Sequence, residues 1–571
     1  MLLYLPIFPI LIGELSMKSV SFIALISCLM LVVSCSTQPK LESADSPASD
    51  ETLLLAPSAD AVKAHMAFLA SDALQGREPG TKGYDAAADY VAAEFQKLGL
   101  SPGGVDQSFF QVVPLRRSYR NADKVQLDTF STNGSTLSLE KSLDYVVSGS
   151  RTHAVTNITA EVVFVGYGLV APEAGRDDYA GLDVEGKLVA MLARTPSGFQ
   201  SEERALYGSR RGREASSRGA LGIITLSTPV SEAIFPFSRL VSEGRLDAAR
   251  MGWIESDGQT HVTAPNLKAG AIFSIEGAEK LFENAPVSWS DILTAAAKEG
   301  GVTPTFQLPV SMTIQQTSTM DEVQSANVIG IIEGSDANLK QEVLVLSAHL
   351  DHIGLSTTDE EDRINNGALD NAAGVATLLE TARMLMELER PRRTILFLAN
   401  TAEEKGLLGA EYFVKNPTSD HVIVANINLD MPILTYNFED IIVFGGDRST
   451  LRGAIQSAAM QMNIAISDDP FPEQGVFTRS DHFRFVEAGI PAVMLATGMA
   501  NGGEEAWAEH FAKHYHQPSD DMDKNLDFNA AAKFTELNTR IALVVANADE
   551  RPLWNKDDFF ARQFKGPMQS E

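Results

Sequence analysis

Six apolar runs between residues 327 and 549 have the length of β-strands, and segments with helical periodicity separate several of them. Several of these runs are almost free of polar residues, which is typical of strands buried on both faces of a sheet. Residues 372–388 between two of them have the spacing of an amphipathic helix. Because such units form parallel sheets with right-handed crossovers, the alternation predicts an α/β domain. The runs are NVIGIIEG, EVLVLSAH, TILFLANT, IVANINLD, DIIVFGG and PAVMLAT.

Candidate metal ligands follow three of these predicted strands. His349 ends EVLVLSAH, Glu403 and Glu404 come shortly after TILFLANT, and Asp430 ends IVANINLD. The carboxyl ends of parallel strands lie at one edge of an open α/β sheet, where ligands bind. Imidazoles and carboxylates that converge there predict a metal site.

Asp370 is the best candidate for a ligand shared by two metal ions. It lies in the Gly-flanked sequence GALDNAAG, directly before the predicted helix. A lone Asp in this position would be an N-cap, but the surrounding acids and imidazoles favour metal binding. Two ions that share a ligand in this way sit about 3.5–4 Å apart.

Several roles stay open on the residues alone. His349 is preferred to His352 as a ligand, because Asp351 could accept its second ring N–H. One member of the adjacent pair Glu403 and Glu404 could bind metal while the other acts as general base. The motif YHQPSDD, in which Pro and Asp predict a turn, offers a further imidazole.

The composition excludes several partners and ligands. The 571 residues suggest more than one domain and carry a net charge of −29, which disfavours nucleic acid and anionic membrane surfaces. Both cysteines, Cys28 and Cys35, lie in the amino-terminal apolar region. Beyond that region, disulfides and thiolate ligands are therefore excluded, and a metal must be held by His, Asp and Glu.

The amino terminus has the pattern of an export signal. Lys18 precedes the apolar residues 19–34, and Met17 is a better start than Met1 because it places a positive charge before them. The sequence LVVSC resembles a bacterial lipobox, so we expect cleavage before Cys35 and a lipid on its thiol. The sorting pattern then predicts a bacterial cell envelope location, in the outer membrane.

Taken together, the motifs resemble the di-zinc exopeptidases of metallopeptidase family twenty-eight, which includes bacterial leucyl-type aminopeptidases and glutamate carboxypeptidase. The resemblance covers roughly residues 60–108 and 327–548. It rests on SAHLDH, GALDNAAG, TAEEKGLLGAE, NLDM and YHQPSDD in this order, and on the amino-terminal LASDALQGREPGTKGYDAAADYVAAEFQKLGL. It implies a three-layer α/β/α domain around a mixed sheet, with an inserted β-rich protease-associated domain.

The resemblance also implies a role for each candidate residue. Glu403 would be the general base acting on a water between the metals, Asp351 would orient His349, and the Asp370–Asn371 peptide bond would be cis. Residues 479–482, RSDH, would belong to the substrate pocket. The ligands of one zinc would be His349, Asp370 and Asp430, and those of the second zinc Asp370, Glu404 and His516.

The implied activity is that of an aminopeptidase acting on peptides, with two zinc ions as cofactors. A carboxypeptidase or a hydrolase of dipeptides or N-acyl amino acids stays open as the alternative. The complete ligand set and Glu403 disfavour a non-catalytic receptor, and ligands for two metals disfavour a one-zinc glutaminyl cyclase. Cobalt or manganese would suit the same ligands. Oligomeric state and side-chain preference stay open.

The predicted organisation has six segments. They are a signal with lipobox (1–35), a flexible tether (36–56), the first part of the catalytic domain (57–118), a protease-associated-like insert (119–322), the main part of the catalytic domain (323–549) and a C-terminal segment (550–571).

Overall fold

A computed structural model describes residues 56–131, 136–242, 246, 248–356 and 361–570. The predicted signal, the lipid anchor at Cys35 and nearly all of the tether lie outside these residues. Within the described ranges, no helix combines the length and apolar character that crossing a bilayer requires.

The strands and helices of the described residues alternate along most of the chain. The strands are β1 (Ser101–Pro102), β2 (Phe110–Arg120), β3 (Gln126–Ser131), β4 (Tyr145–Val147), β5 (Val155–Phe164), β6 (Val170–Ala171), β7 (Arg176–Asp177), β8 (Leu188–Leu192), β9 (Gly222–Leu226), β10 (Arg250–Trp253), β11 (Ala269–Phe273), β12 (Phe306–Ile332), β13 (Glu342–His349), β14 (Thr394–Asn400), β15 (Val422–Leu429), β16 (Asp440–Phe444), β17 (Ala465–Ser467) and β18 (Ala492–Thr497). The α-helices are α1 (Ala59–Leu69), α2 (Lys82–Leu98), α3 (Ser201–Ser217), α4 (Pro229–Ile234), α5 (Phe237–Ser242), α6 (Ile275–Leu281), α7 (Trp289–Ala296), α8 (Ala373–Met386), α9 (Leu408–Lys415), α10 (Leu451–Gln461), α11 (His482–Glu487), α12 (Gly503–Lys513), α13 (Phe528–Asn547) and α14 (Phe559–Phe564).

The central sheet has the strand order β17-β16-β18-β15-β13-β14-β12. Its four middle strands, β14, β13, β15 and β18, are parallel. β12 pairs antiparallel with β14, and β16 pairs antiparallel with β18 but parallel with β17. Two separate groups of helices pack on the sheet, one around α1, α8 and α13 and the other around α9 and α11. The predicted α/β fold with a mixed central sheet is therefore confirmed.

A second sheet follows the order β12-β5-β8-β9-β11-β4, and β5, β8, β9 and β11 are parallel. The segment predicted to be β-rich also contains α3 to α7, so strands and helices alternate in it. The sequence hides α3 because its polar residues outnumber a few buried apolar ones, among them Leu206, Tyr207 and Ala215.

Strand β12 belongs to both sheets. It pairs with β3 and β5 in its first part, with β2 from Ser318 to Val328, and with β14 at its end. The predicted insert boundaries after residues 118 and 322 fall inside β2 and β12, which run on without a break. These boundaries and the protease-associated nature of the insert stay predictions.

Asn327 joins β12 to three other segments. Its side chain is fully buried and donates to Gln111 Oε1 and to the Gly409 carbonyl, both at 2.9 Å. Its Oδ1 accepts the backbone N–H of Thr401 at 3.0 Å. One side chain therefore satisfies polar groups of β2, of the loop after β14 and of α9.

We expect Asn327→Ala to lower the free energy of unfolding by about 2–3 kcal/mol, because it leaves buried polar partners without a hydrogen bond. Urea unfolding followed by circular dichroism measures the change. Asn157→Ala, at an exposed position of β5, is the matched control and should change it by no more than about 0.5 kcal/mol. Equal effects of the two substitutions would contradict the role given to Asn327.

Candidate metal centre

Three parallel strands bring acids and imidazoles to one edge of the central sheet. β13 ends at His349, β14 ends three residues before Glu403, and β15 ends one residue before Asp430. Two further side chains come from loops. Asp370 lies in a π-type turn, Ala368–Ala372, before α8, and His516 follows α12. The Asp370–Asn371 peptide bond is cis, as the resemblance implied.

The two oxygens of Asp370 face two different groups of ligands. Oδ1 lies 3.3 Å from His349 Nε2, which is also 3.1 Å from Asp430 Oδ1. Oδ2 lies 3.0 Å from His516 Nε2, which is 3.4 Å from Glu404 Oε1. In each group the ligand atoms lie within 4.8 Å of one another. A carboxylate shared in this way is the arrangement predicted for a bridging ligand.

His352 is a member of the second group, with Asp370, Glu404 and His516. It is fully buried, and its Nδ1 lies 2.8 Å from Glu404 Oε1. Its other ring nitrogen, Nε2, is buried without a hydrogen-bond partner. His352 therefore does not compete with His349, since the two imidazoles contact different groups. On the sequence alone, the two are rivals for one position.

The donor set fits zinc. Both groups combine imidazole nitrogens with carboxylate oxygens, which are the usual zinc ligands where thiolates are absent. The buried, unpartnered Nε2 of His352 adds a nitrogen donor beside the second group. The two groups together contain three acids and three imidazoles, a donor set that is typical of a metal site.

Asp351 supports the site differently from the prediction. His349 Nδ1 lies 3.1 Å from the main-chain carbonyl of Asp351, so the carbonyl and not the carboxylate accepts its ring N–H. The carboxylate instead accepts the backbone N–H groups of Glu403 and Glu404, at 3.0 and 3.3 Å. Asp351 thus fixes both the imidazole and the pair of acids.

The RSDH residues lie beneath the metal groups rather than in a pocket wall. Ser480, Asp481 and His482 are buried, and only Arg479 is partly exposed. The Ser480 hydroxyl donates to Asp430 Oδ2 and accepts from Asn428 Nδ2 at 2.7 Å. Of the four residues, Arg479 alone can take the substrate-pocket role that the resemblance suggested.

The adjacent acids Glu403 and Glu404 have opposite electrostatic environments. Burial raises the pKa of Glu403 well above its usual value; His349 opposes this, while Glu404 and Asp430 add to it. Burial also acts against ionisation of Glu404, but His516 and His352 outweigh it and lower its pKa. Glu404 is therefore the better anionic ligand, and Glu403 the better proton carrier.

A mixed α/β sheet with these groups at its carboxyl edge has the donors that a metal-dependent hydrolase needs. Residues 327–542 match the model of peptidase family M28. The resemblance inferred from the motifs is therefore confirmed.

Two curated relatives match parts of the chain. "Vacuolar membrane protease" of Candida dubliniensis is 39% identical over 100 residues, which are 18% of this chain and 10% of that protein. "Aminopeptidase YwaD" of Bacillus subtilis is 27% identical over 206 residues, 35% of this chain and 40% of that protein. The chain thus spans less than half the length of either relative.

A solved structure has the same fold over most of the chain. The aminopeptidase from Aneurinibacillus sp. strain AM-1 has a TM-score of 0.50 and 19% identity, covering 90% of this chain and 98% of that one. At this identity the likeness concerns the fold.

The prediction of a bacterial outer-membrane location is wrong by these comparisons. Several of the matching curated relatives are vacuolar membrane proteases of fungi, from Candida dubliniensis, Yarrowia lipolytica and Candida albicans. Their names place these relatives in a vacuolar membrane, which contradicts the bacterial envelope expected from the sequence. The lipobox-like sequence that motivated the prediction is only five residues long, too short to outweigh them.

We expect His516→Ala to weaken zinc binding by more than roughly 10–100-fold. That range is typical for the loss of a residue that only hydrogen-bonds a metal ligand. The reason is that His516 contacts both Asp370 and Glu404 in the second group. Competition with a chelating dye measures the affinity. The control is His514→Ala, two residues away, whose ring contacts Ser519 instead. If both variants bind zinc equally well, His516 is not a ligand.

Proposed function

We propose that this protein is a zinc-dependent aminopeptidase with two metal ions, which hydrolyses N-terminal residues from peptides. The observation that carries the proposal is the Asp370 carboxylate, whose two oxygens each face a separate group of ligands. A single-metal or purely structural site has no need of a carboxylate shared in this way.

The proposed ligands are divided between the two groups. His349 and Asp430 would hold one ion, Glu404 and His516 the other, and Asp370 both. Bound zinc supplies a Lewis acid that polarises the scissile carbonyl and makes water more acidic. His349 is kept in the required tautomer because its Nδ1 donates to the Asp351 carbonyl, which turns Nε2 towards the carboxylates.

Glu403 is proposed as the proton carrier. It belongs to neither ligand group, and its backbone is fixed by the Asp351 carboxylate. Its carboxylate would take a proton from the attacking water as the new C–O bond forms. It would then return the proton to the amide nitrogen as the C–N bond breaks, so that the amine leaves neutral.

A second candidate function is hydrolysis of short peptides or N-acyl amino acids through recognition of a free carboxylate. One observation favours it. Burial, and after it the guanidinium of Arg479, lowers the pKa of Arg194, so the two cations lie near one another. Arg479 also acts on Tyr515, whose pKa is raised by burial and by Asp370 and Glu404 nearby. Arg479 near Tyr515, with Arg194 near Arg479, would offer guanidinium groups that suit a carboxylate.

Three substrate classes separate the two candidates. We expect the full-length protein to release the chromophore from aminoacyl amides with a free amino group, and a metal chelator to abolish the release. N-acetylated amides of the same residue should react far more slowly, because the proposed reaction needs a free amino terminus. Turnover of N-blocked substrates with a free carboxylate, and not of aminoacyl amides, would favour the second candidate.

We expect Glu403→Gln to retain zinc but to lower kcat by about 100-fold or more, because general acid–base catalysis contributes roughly 10²–10⁴-fold. Zinc content by atomic absorption and steady-state kinetics measure the two properties. Glu439→Gln, at an exposed position before β16, is the control and should leave both unchanged. Near wild-type turnover of Glu403→Gln would remove Glu403 from this role.

One finer part of the proposal rests on the sequence pattern. The insert between β2 and β12 would act as a protease-associated domain that limits access to the metal groups. Its helix α3 packs against the turns that precede Arg479, which supports a role at the entrance.

A further inference from the structure

Asp370 lies on a loop whose backbone is held by two side chains from distant parts of the sequence, Arg77 and Asp520. The loop runs from Asn365 to Asp370 and contains Gly367 in a left-handed conformation, with φ of 60°. A Cβ at Gly367 would lie 2.2 Å from the Asp370 carbonyl and 2.7 Å from the His352 ring. The loop is therefore tightly folded next to the second ligand group, and its shape determines where Asp370 points.

Arg77 holds the amino-terminal half of this loop. It is buried, and its guanidinium donates to the carbonyls of Leu350, Asn366 and Gly367 at 2.9, 2.6 and 3.1 Å, and also to that of Leu69. Leu350 lies between His349 and Asp351. One side chain thus links the loop after β13 to the loop that precedes Asp370.

The backbone of Gly76 and Arg77 also contacts these loops. The Arg77 carbonyl accepts the His352 N–H at 3.2 Å, and the Gly76 carbonyl accepts the Gly354 N–H at 3.0 Å. A Cβ at Gly76 would lie 2.6 Å from the carbonyls of Asn365 and Gly354. The segment between α1 and α2 therefore lies backbone to backbone against the ligand loops.

Asp520 holds the other half of the loop. Its side chain is fully buried, and its two oxygens accept the backbone N–H groups of Leu369 and Asp370, each at 3.1 Å. Its own carbonyl accepts the Ala368 N–H at 2.9 Å. Asp520 lies four residues after His516, so it joins the two loops of the second ligand group.

We propose that Arg77 and Asp520 are positioning residues: they fix the backbone of residues 366–370 from its two ends, so that the Asp370 carboxylate is shared between both ligand groups. Neither residue belongs to a ligand group. Arg77 uses its planar fork to reach several carbonyls at once, which a lysine cannot do. This inference rests on the proposed metal centre and assigns two further residues to it.

An electrostatic role and a positioning role of Arg77 predict opposite effects of its substitution on zinc affinity. The guanidinium lies near Asp351, Asp370, Asp520 and Glu404. Among the residues that the structure describes, it makes no ion pair with these acids, and its hydrogen bonds go to main-chain carbonyls. A nearby cation by itself repels a metal ion, so removal of its charge alone would tighten zinc binding. Loss of the hydrogen bonds to the loop would weaken it. The sign of the change therefore separates the two roles.

We expect Arg77→Lys, Arg77→Met and Asp520→Asn each to lower the zinc affinity of the full-length protein by about 10-fold or more, as for other residues that orient ligands. Competition with a chelating dye measures the affinity, and the visible spectrum of the cobalt-loaded protein reports the ligand geometry. Both readouts are independent of turnover.

Two substitutions elsewhere control for loss of stability. Arg393→Lys alters another buried arginine, which donates to the carbonyls of Val545 and Asp549 at 3.2 and 3.3 Å at the start of β14. Asp440→Asn alters another buried acid, which accepts the N–H groups of Met499 and Ala500 at 3.2 and 2.9 Å. These two variants should melt at a lower temperature but bind zinc like the wild type.

The outcomes distinguish the two proposals. If the wild type binds no zinc, the proposed function fails. If it binds zinc and both Arg77→Lys and Asp520→Asn bind it equally well, the positioning role is overturned. Tighter binding by Arg77→Met would assign Arg77 an electrostatic role instead. If Arg77→Lys does not fold, Asp520→Asn decides the question.

Discussion

Mutual repulsion among buried carboxylates is the constraint around which the edge of the central sheet is organised. Asp370, Glu403, Glu404 and Asp430 lie together with little exposure to water, where like charges are costly. The imidazoles of His349 and His516 lie between them, and burial raises the pKa of Glu403. The same crowding that destabilises the metal-free site gives a divalent cation its affinity, so stability and metal binding are coupled here.

The groups that hold the ligands come from widely separated parts of the chain. Strands of the central sheet supply His349 and Asp430, while Arg77 reaches the ligand loops from the segment before α2 and Asp520 from the loop after α12. Most of these supporting contacts are made to main-chain carbonyls and N–H groups. The ligand loops are therefore held in shape through their backbone, and the ligand side chains keep their polar atoms for a metal.

Sequence patterns predicted the parts of the site that depend on strand direction. His349, Glu403, Glu404 and Asp430 follow apolar strands, and the ends of parallel strands must lie together. The grouping of His352 with Glu404 depends on how a loop turns, which periodicity does not describe. The carbonyl of Asp351 was missed because every residue has one, and α3 because its polar surface masks its apolar positions. Arg77 contacts a carbonyl 290 residues away, a pairing for which local sequence carries no signal.

The single strand β12 that serves both sheets has a consequence for how such a protein can be altered. Its 27 residues pair in turn with β5, with β2 and with β14. No hinge separates the insert from the ligand-bearing sheet along this strand, so the twist of one strand sets their relative orientation. Exchanging the insert for another protein's would therefore have to preserve the pairing register of β2 with β12. A chimera joined at the predicted boundaries, after residues 118 and 322, would cut through the pairing of β2 with β12. A chimera that exchanges both strands together would keep this pairing.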